Sequence, residues 1–248
     1  MSRIKFLNIE LDNFTMGETI KEIDCLVQEK KNAYAVTPNV DHVVQLQKDK
    51  KFLEIYRHAD LVLTDGKPLL WIAKLYGKSI KEKVSGSDLF PEICKLAAEK
   101  GYRMFFLGAA EGVGQRAAQK LQIKYKGLQI VGTYSPPYGF EKDNEEVGKI
   151  IQKIKDANPH ILIVGLGAPK QEKFIYQYKS QLGVPFSIGL GASLDFEAGN
   201  VKRAPKWLSK IGLEWLYRMI KEPRRLAGRY LYDAYAIIPI ILRYRRKQ

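Results

Sequence analysis

The residues His160 to Val164 read H-I-L-I-V, and runs of this kind return throughout the first 199 positions of the 248-residue chain. Each is too short for a helix, and most are followed by a segment with helical spacing of apolar residues. A strand that is apolar at every position needs cover on both faces, as a strand inside a parallel sheet has. The expected strands are Arg3 to Leu11, Tyr34 to Thr37, Asp60 to Asp65, Arg103 to Leu107, Leu128 to Thr133, His160 to Val164 and Phe186 to Ile188. Between them lie helical segments such as the one after Thr15, a plausible N-cap, which carries Ile20, Ile23, Leu26 and Val27 on one face. The alternation predicts an α/β fold with a Rossmann-like, mostly parallel sheet flanked by helices.

This pattern stops near Gly199. We therefore expect a core over residues 1–199 and a helical appendage over 200–248, with two or three amphipathic helices in Pro205 to Ile220 and Arg224 to Arg246, broken at Pro223 and Pro239. The charge divides at the same place. Of a net charge of +14, the segment from Asn200 onward carries +10, from 13 Lys/Arg against Glu214, Glu222 and Asp233. The hydrophobic fraction of 46% excludes a disordered chain. Cys25 and Cys94 both fall among helix-periodic residues and are expected as reduced, buried small groups rather than a disulfide. No secretory leader is expected after Met1, and no apolar run is long enough to cross a bilayer.

The stretch Asp60 to Pro68 (D-L-V-L-T-D-G-K-P) carries the strongest hint of chemistry. Leu61 to Leu63 suit a buried strand, Gly66 a tight turn, and Pro68 the first turn of a helix. That places Asp65 just beyond the carboxyl end of a strand, where open α/β sheets hold ligands. The same position also suits a helix N-cap, and the sequence leaves both readings open. Ala33 to Asn39 has the same build and sets Thr37 and Asn39 just past an apolar run. Gln171 follows a third.

Glycines recur at Gly108 to Gly114, Gly165 to Gly167 and Gly189 to Gly191, where backbone N–H groups and helix starts suit a phosphate. Plain turns would use them equally well. None of the three forms the G-x-G-x-x-G fingerprint, and neither a P-loop nor a G-x-S-x-G elbow is present, which argues against hydride transfer, kinase chemistry and a serine nucleophile. His42, His58 and His160 are scattered, without paired Cys or a D-x-D chelate, so we expect no metal ligands and no cofactor.

Five strings, T-P-N-x-D-H from Thr37, T-D-G-K-P from Thr64, V-S-G-S-D from Val84, G-L-G-A-P-K-Q-E from Gly165 and G-L-G-A-S-L-D-F from Gly189, resemble the WecG/TagA/CpsF family of bacterial glycosyltransferases, in this order and over nearly the whole chain. The resemblance implies transfer of N-acetylmannosamine from UDP-N-acetylmannosamine to the 4-hydroxyl of N-acetylglucosamine linked to undecaprenyl diphosphate. It further implies an inverted, β-1,4 product, no metal, and an early step of wall teichoic acid synthesis. By the same resemblance Asp65 is the general base, while Thr37, Asn39 and Gln171 line the sugar pocket. Tyr138 and Asp195 become candidates for uridine contacts. Lys83 stands where relatives often carry Arg, keeping the charge for a phosphate but losing the bidentate fork. The tail arginines Arg218, Arg224, Arg225 and Arg229 become candidates to bind the lipid diphosphate, and self-association in solution is expected.

From Arg229 to Arg246 the tail interleaves arginines with Tyr, Ile and Leu. That composition suits a helix lying in an anionic headgroup layer, and together with the resemblance it implies a peripheral position on the inner face of the bacterial cell membrane. A core-packing helix with a solvated basic face is the alternative. The competing function classes are a transferase for another UDP-aminosugar, a nucleotide-sensing domain without turnover, and a nucleic-acid-binding module. The last would string its cations along one exposed face, and interleaving with Ile, Leu and Tyr speaks against it.

Overall fold

The computed structural model describes residues 3–205, 207–208 and 212–245, with the side chain of Arg225 outside the description. Six strands form one parallel sheet in the order β4-β3-β8-β7-β5-β6, with β3 at Ala33–Val36, β4 at Leu61–Val62, β5 at Arg103–Gly108, β6 at Gln129–Tyr134, β7 at Ile161–Gly165 and β8 at Phe186–Gly189. The parallel α/β sheet is as expected. Its central strands are buried at almost every position, which is why they read as unbroken apolar runs.

The first expected strand differs. Arg3 to Leu11 is a hairpin of β1 (Arg3–Phe6) and β2 (Ile9–Asp12), turned at Leu7, whose φ is 53°. The hairpin braces the edge strand of the main sheet. Asp12 accepts from the Val62 N–H at 2.8 Å and from Arg3 Nε at 3.1 Å, and Arg3 also donates to the carbonyls of Ala59 and Asp60. An edge whose N–H groups are satisfied in this way is closed to further strands.

Helices cover both faces. Against one lie α1 (Met16–Glu29), α5 (Gly86–Lys100), α6 (Val113–Lys124) and α9 (Ser193–Ala198), with Ile23, Phe90, Leu121 and Leu194 in the core. Against the other lie α2 (Val40–Gln45), α3 (Lys50–Arg57), α4 (Lys67–Leu75), α7 (Asn144–Ala157) and α8 (Lys170–Leu182), with Val43, Phe52, Leu69, Ile150 and Ile175. Thr15 caps α1 in a reciprocal box with Glu18. Cys94 is buried as expected, but Cys25 is exposed: it sits on the outward face of α1, and both thiols are free.

Among the described residues, α10 (Glu214–Lys221) and α11 (Pro223–Arg245) follow the core. Pro223 opens α11, a position where its missing N–H costs nothing. Pro239 does not break it, and the helix runs on through this residue. Residues 206, 209–211 and 246, included in the expected tail helices, lie outside the described residues. Helix α11 packs along α2, and Leu226, Ile237 and Ile240 are buried. No described helix is long and apolar enough to cross a membrane.

Candidate functional site

The polar ends of β3, β4, β7 and β8 open onto a cavity of about 590 Å³, whose far wall is made by α10 and α11. Asp65 lines it. Its N–H donates to the Pro38 carbonyl at 2.9 Å, extending the β3–β4 ladder by one step and fixing the two loops together. The capping position of α4 belongs to Gly66, without a side-chain cap, so the Asp65 carboxylate is not spent on the helix. Burial raises its pKa to about 6. Lys83 and Arg218 pull the other way, while Glu214 and Asp88 add to the rise.

Thr37 and Asn39 line the same cavity from the loop after β3. Asn39 caps α2 by accepting from the His42 N–H at 3.1 Å. Behind it His42 is buried with Nδ1 at 2.7 Å from the Tyr56 hydroxyl, and desolvation lowers its pKa to about 4, so the ring is neutral at pH 7.

Gln171, 3% exposed, works as a strut. Its Oε1 accepts from the Gly191 N–H at 3.0 Å and its Nε2 donates to Glu172 at 2.8 Å, which fixes the loop after β8 against the start of α8. Only glycine fits at 189, because a Cβ there would stand 2.7 Å from the Gln171 side chain. Of the three glycine loops, those at Gly165 to Gly167 and Gly189 to Gly191 reach the cavity; Gly108 to Gly114 does not line it.

Lys83 also lines the cavity and is held by Asp88 at 2.9 Å and Glu214 at 4.0 Å. Asp88, in the first turn of α5, differs from Asp65. Burial raises its carboxyl, but hydrogen bonds from Ser85 at 2.5 Å, from Lys83 and from Arg203 outweigh that and bring its pKa to about 2.

Among the tail arginines the structure separates two pairs. Arg218 and Arg229 line the cavity, with Arg229 3.8 Å from Asp41. Arg224 is exposed and does not line it, and the Arg225 side chain lies outside the description. Tyr138 is fully exposed under Lys170, and Asp195 accepts from Asn200 at 3.3 Å; neither lines the cavity, although Ser193 and Phe196 beside Asp195 do.

Sequence reasoning passed over Lys67, Asp41, Glu214, Trp71 and Asp233, all of which line the cavity. Lys67 and Asp41 stood inside quoted strings. Glu214 and Asp233 carried a fainter signal, as rare acids in a basic tail. Asp233 is 4% exposed, and burial together with Asp41 raises it to about 6 against the pull of Arg229.

The family model of the "Glycosyl transferase WecG/TagA/CpsF family" matches residues 4–248. The chain belongs to this family. As a member of the WecG/TagA/CpsF family it is a glycosyltransferase, and the five strings that suggested as much supply the loops around the cavity. Three relatives are each named N-acetylglucosaminyldiphosphoundecaprenol N-acetyl-beta-D-mannosaminyltransferase. One from Bacillus spizizenii is 32% identical over 91% of this chain and 84% of its own length. One from Bacillus subtilis is 33% identical over 85% and 80%. One from Staphylococcus aureus is 27% identical over 91% and 87%.

Proposed function

We propose that this glycosyltransferase moves N-acetylmannosamine from its UDP conjugate to the 4-hydroxyl of N-acetylglucosamine on undecaprenyl diphosphate, with inversion to a β-1,4 linkage and without a metal. The names of the relatives support donor sugar and acceptor. The observation that carries the mechanism is a carboxylate, Asp65, half-buried in the cavity, free of the helix cap and with its pKa raised to about 6. A carboxylate so desolvated is a stronger base than one in water.

In this reading Asp65 takes the proton of the acceptor 4-hydroxyl as that oxygen attacks the anomeric carbon. The bond from that carbon to the phosphate oxygen breaks, and UDP leaves with the electron pair. Lys67, Lys83 and Arg218 face the cavity and would offset the charge that develops on the departing diphosphate. Thr37 and Asn39 would orient the sugar, and Gln171 would hold the Gly189 to Gly191 loop in place. Uridine contacts from Tyr138 and Asp195 belong to the donor's outer end, beyond the cavity wall. Arg229, with Arg224 outside the cavity and Arg225 next to it in sequence, would meet the lipid diphosphate.

Residues 200–248 are proposed as the segment that brings the core to the anionic inner face of the membrane, for a step of wall teichoic acid synthesis, from a self-associated form in solution. Cutting the chain near Gly199 should abolish sedimentation with anionic vesicles; unchanged sedimentation removes that role. The central test is Asp65→Asn. Turnover should fall by about a thousandfold while UDP still binds; near-normal turnover refutes the base. A panel of UDP-aminosugars with one acceptor tests the sugar, and chelator-resistant turnover the absence of a metal.

A further inference from the structure

The cavity does not end at its polar floor. From Asp65 it continues between α4 and α11, and there its lining becomes apolar. On α4 the liners Pro68, Trp71, Ile72 and Leu75 recur at three- and four-residue spacing, which sets them on one face. On α11 Tyr230, Ala234, Ile237 and Ile241 do the same. The two stripes run away from Asp65 together, because the Tyr76 hydroxyl, just past the end of α4, donates to the Ile241 carbonyl at 2.6 Å. From Tyr230 to Ile241 the helix rises roughly 16 Å.

Packing within the chain buries Ile237 on α11 but leaves part of the α4 side of this surface open. Trp71 is 50% exposed and Leu75 68%, although both belong to the sheet domain and not to the basic tail. Where the loop before α10 crosses α4, Gly212 fits against Lys67 and Trp71 only because it has no Cβ: one would stand 2.8 Å from the Lys67 Cβ. That close approach joins the two walls at the polar end.

The lining of this cavity thus combines the Asp65 carboxylate, the cations Arg218 and Arg229, and two apolar stripes, the one on α11 interrupted by Asp233. We propose that the groove between α4 and α11 seats the first isoprene units of the lipid acceptor, with Trp71 and Leu75 as its outer wall. The inference rests on the acceptor reading above and adds that the enzyme recognises the chain itself, apart from any bilayer around it.

Turnover in solution, free of vesicles and detergent, tests this with N-acetylglucosamine diphosphate esterified to methyl, geranyl or farnesyl groups, followed by UDP release. For the unaltered protein, KM should be lower for farnesyl than for methyl by on the order of tenfold or more. In Trp71→Ser/Leu75→Ser that ratio should collapse toward one, while Trp71→Phe/Leu75→Met should keep it. Both positions are exposed enough for the variants to fold, which an unchanged circular dichroism spectrum would show. Equal KM values for methyl and farnesyl esters in the unaltered protein, or an unchanged ratio in the double serine variant, overturn the groove. Failure to glycosylate any of the three esters instead sinks the acceptor reading, and with it the occupant proposed here.

Discussion

The loop after β4 and the first turn of α5 each present an aspartate near the same cavity, and their pKa values are shifted in opposite directions. Asp88 is surrounded by donors: Ser85, Lys83 and Arg203 all bind it, and its pKa falls to about 2 despite burial. Asp65 has cations nearby but accepts none of the described hydrogen bonds, so desolvation prevails and its pKa rises to about 6. Residue type alone therefore does not decide between an anchor and a base. The number of donors aimed at the carboxylate does.

If the distinction holds, the two positions fail differently. Asp65→Asn should cost the most, about a thousandfold in kcat, with donor affinity kept. Asp88→Asn should keep the base but release Lys83 and Arg203. We expect KM for the UDP-sugar to rise by about tenfold, together with a loss of roughly 1–2 kcal/mol of folding stability from charge-assisted hydrogen bonds. Equal losses of kcat in both variants would erase the contrast. A smaller effect is the pH profile: kcat/KM should fall about tenfold per unit below pH 6, where Asp65 takes up its proton, and level off above. A limb that stays near pH 4 would show an unperturbed carboxylate in the working enzyme.

Much of the sheet domain was legible because its signals are local. An apolar run such as Ile161 to Val164 is a buried strand whatever surrounds it, and Thr15 with Glu18 specifies a helix start by itself. Thr37, Asn39 and Asp65 were legible for the same reason, as each follows closely on a strand, whereas Gln171 stands in the first turn of α8. What escaped depends on distance along the chain. The turn at Leu7 has no Gly, Asn or Pro at the residue that takes positive φ, and the hairpin is held by Asp12 reaching Val62, a contact spanning 50 residues. Trp71 reads as part of an ordinary amphipathic helix until α11, more than 150 positions later, faces it across the cavity. Asp233 is invisible as a cavity residue until α11 meets α2. Cys25 lies on a helix, but only the finished packing turns it outward.

The comparison is sharpened most finely by stability, because the two aspartates should shift it in opposite directions with pH. A carboxyl whose pKa is raised on folding binds its proton more tightly in the folded chain, so folding loses stability as pH climbs from the unfolded value, near 4, through about 6. Glu172, raised to about 7 by burial against the hydrogen bond from Gln171, and Asp233, raised to about 6, act in the same sense. Asp65→Asn removes one such penalty. Its stability advantage over the unaltered protein should be absent near pH 4, grow as pH rises, and settle above pH 7 at a gain on the order of 2 kcal/mol. Asp88→Asn should behave as the mirror image. A carboxyl whose pKa is lowered on folding stabilises above its unfolded value and loses that contribution as pH falls toward 2, so the deficit of this variant should be full at neutral pH and shrink in acid. Thermal melts of both variants between pH 3 and pH 8 would read the two slopes directly. Parallel slopes would mean that the pocket treats both carboxylates alike, and Asp65 would then have no claim to be the better base.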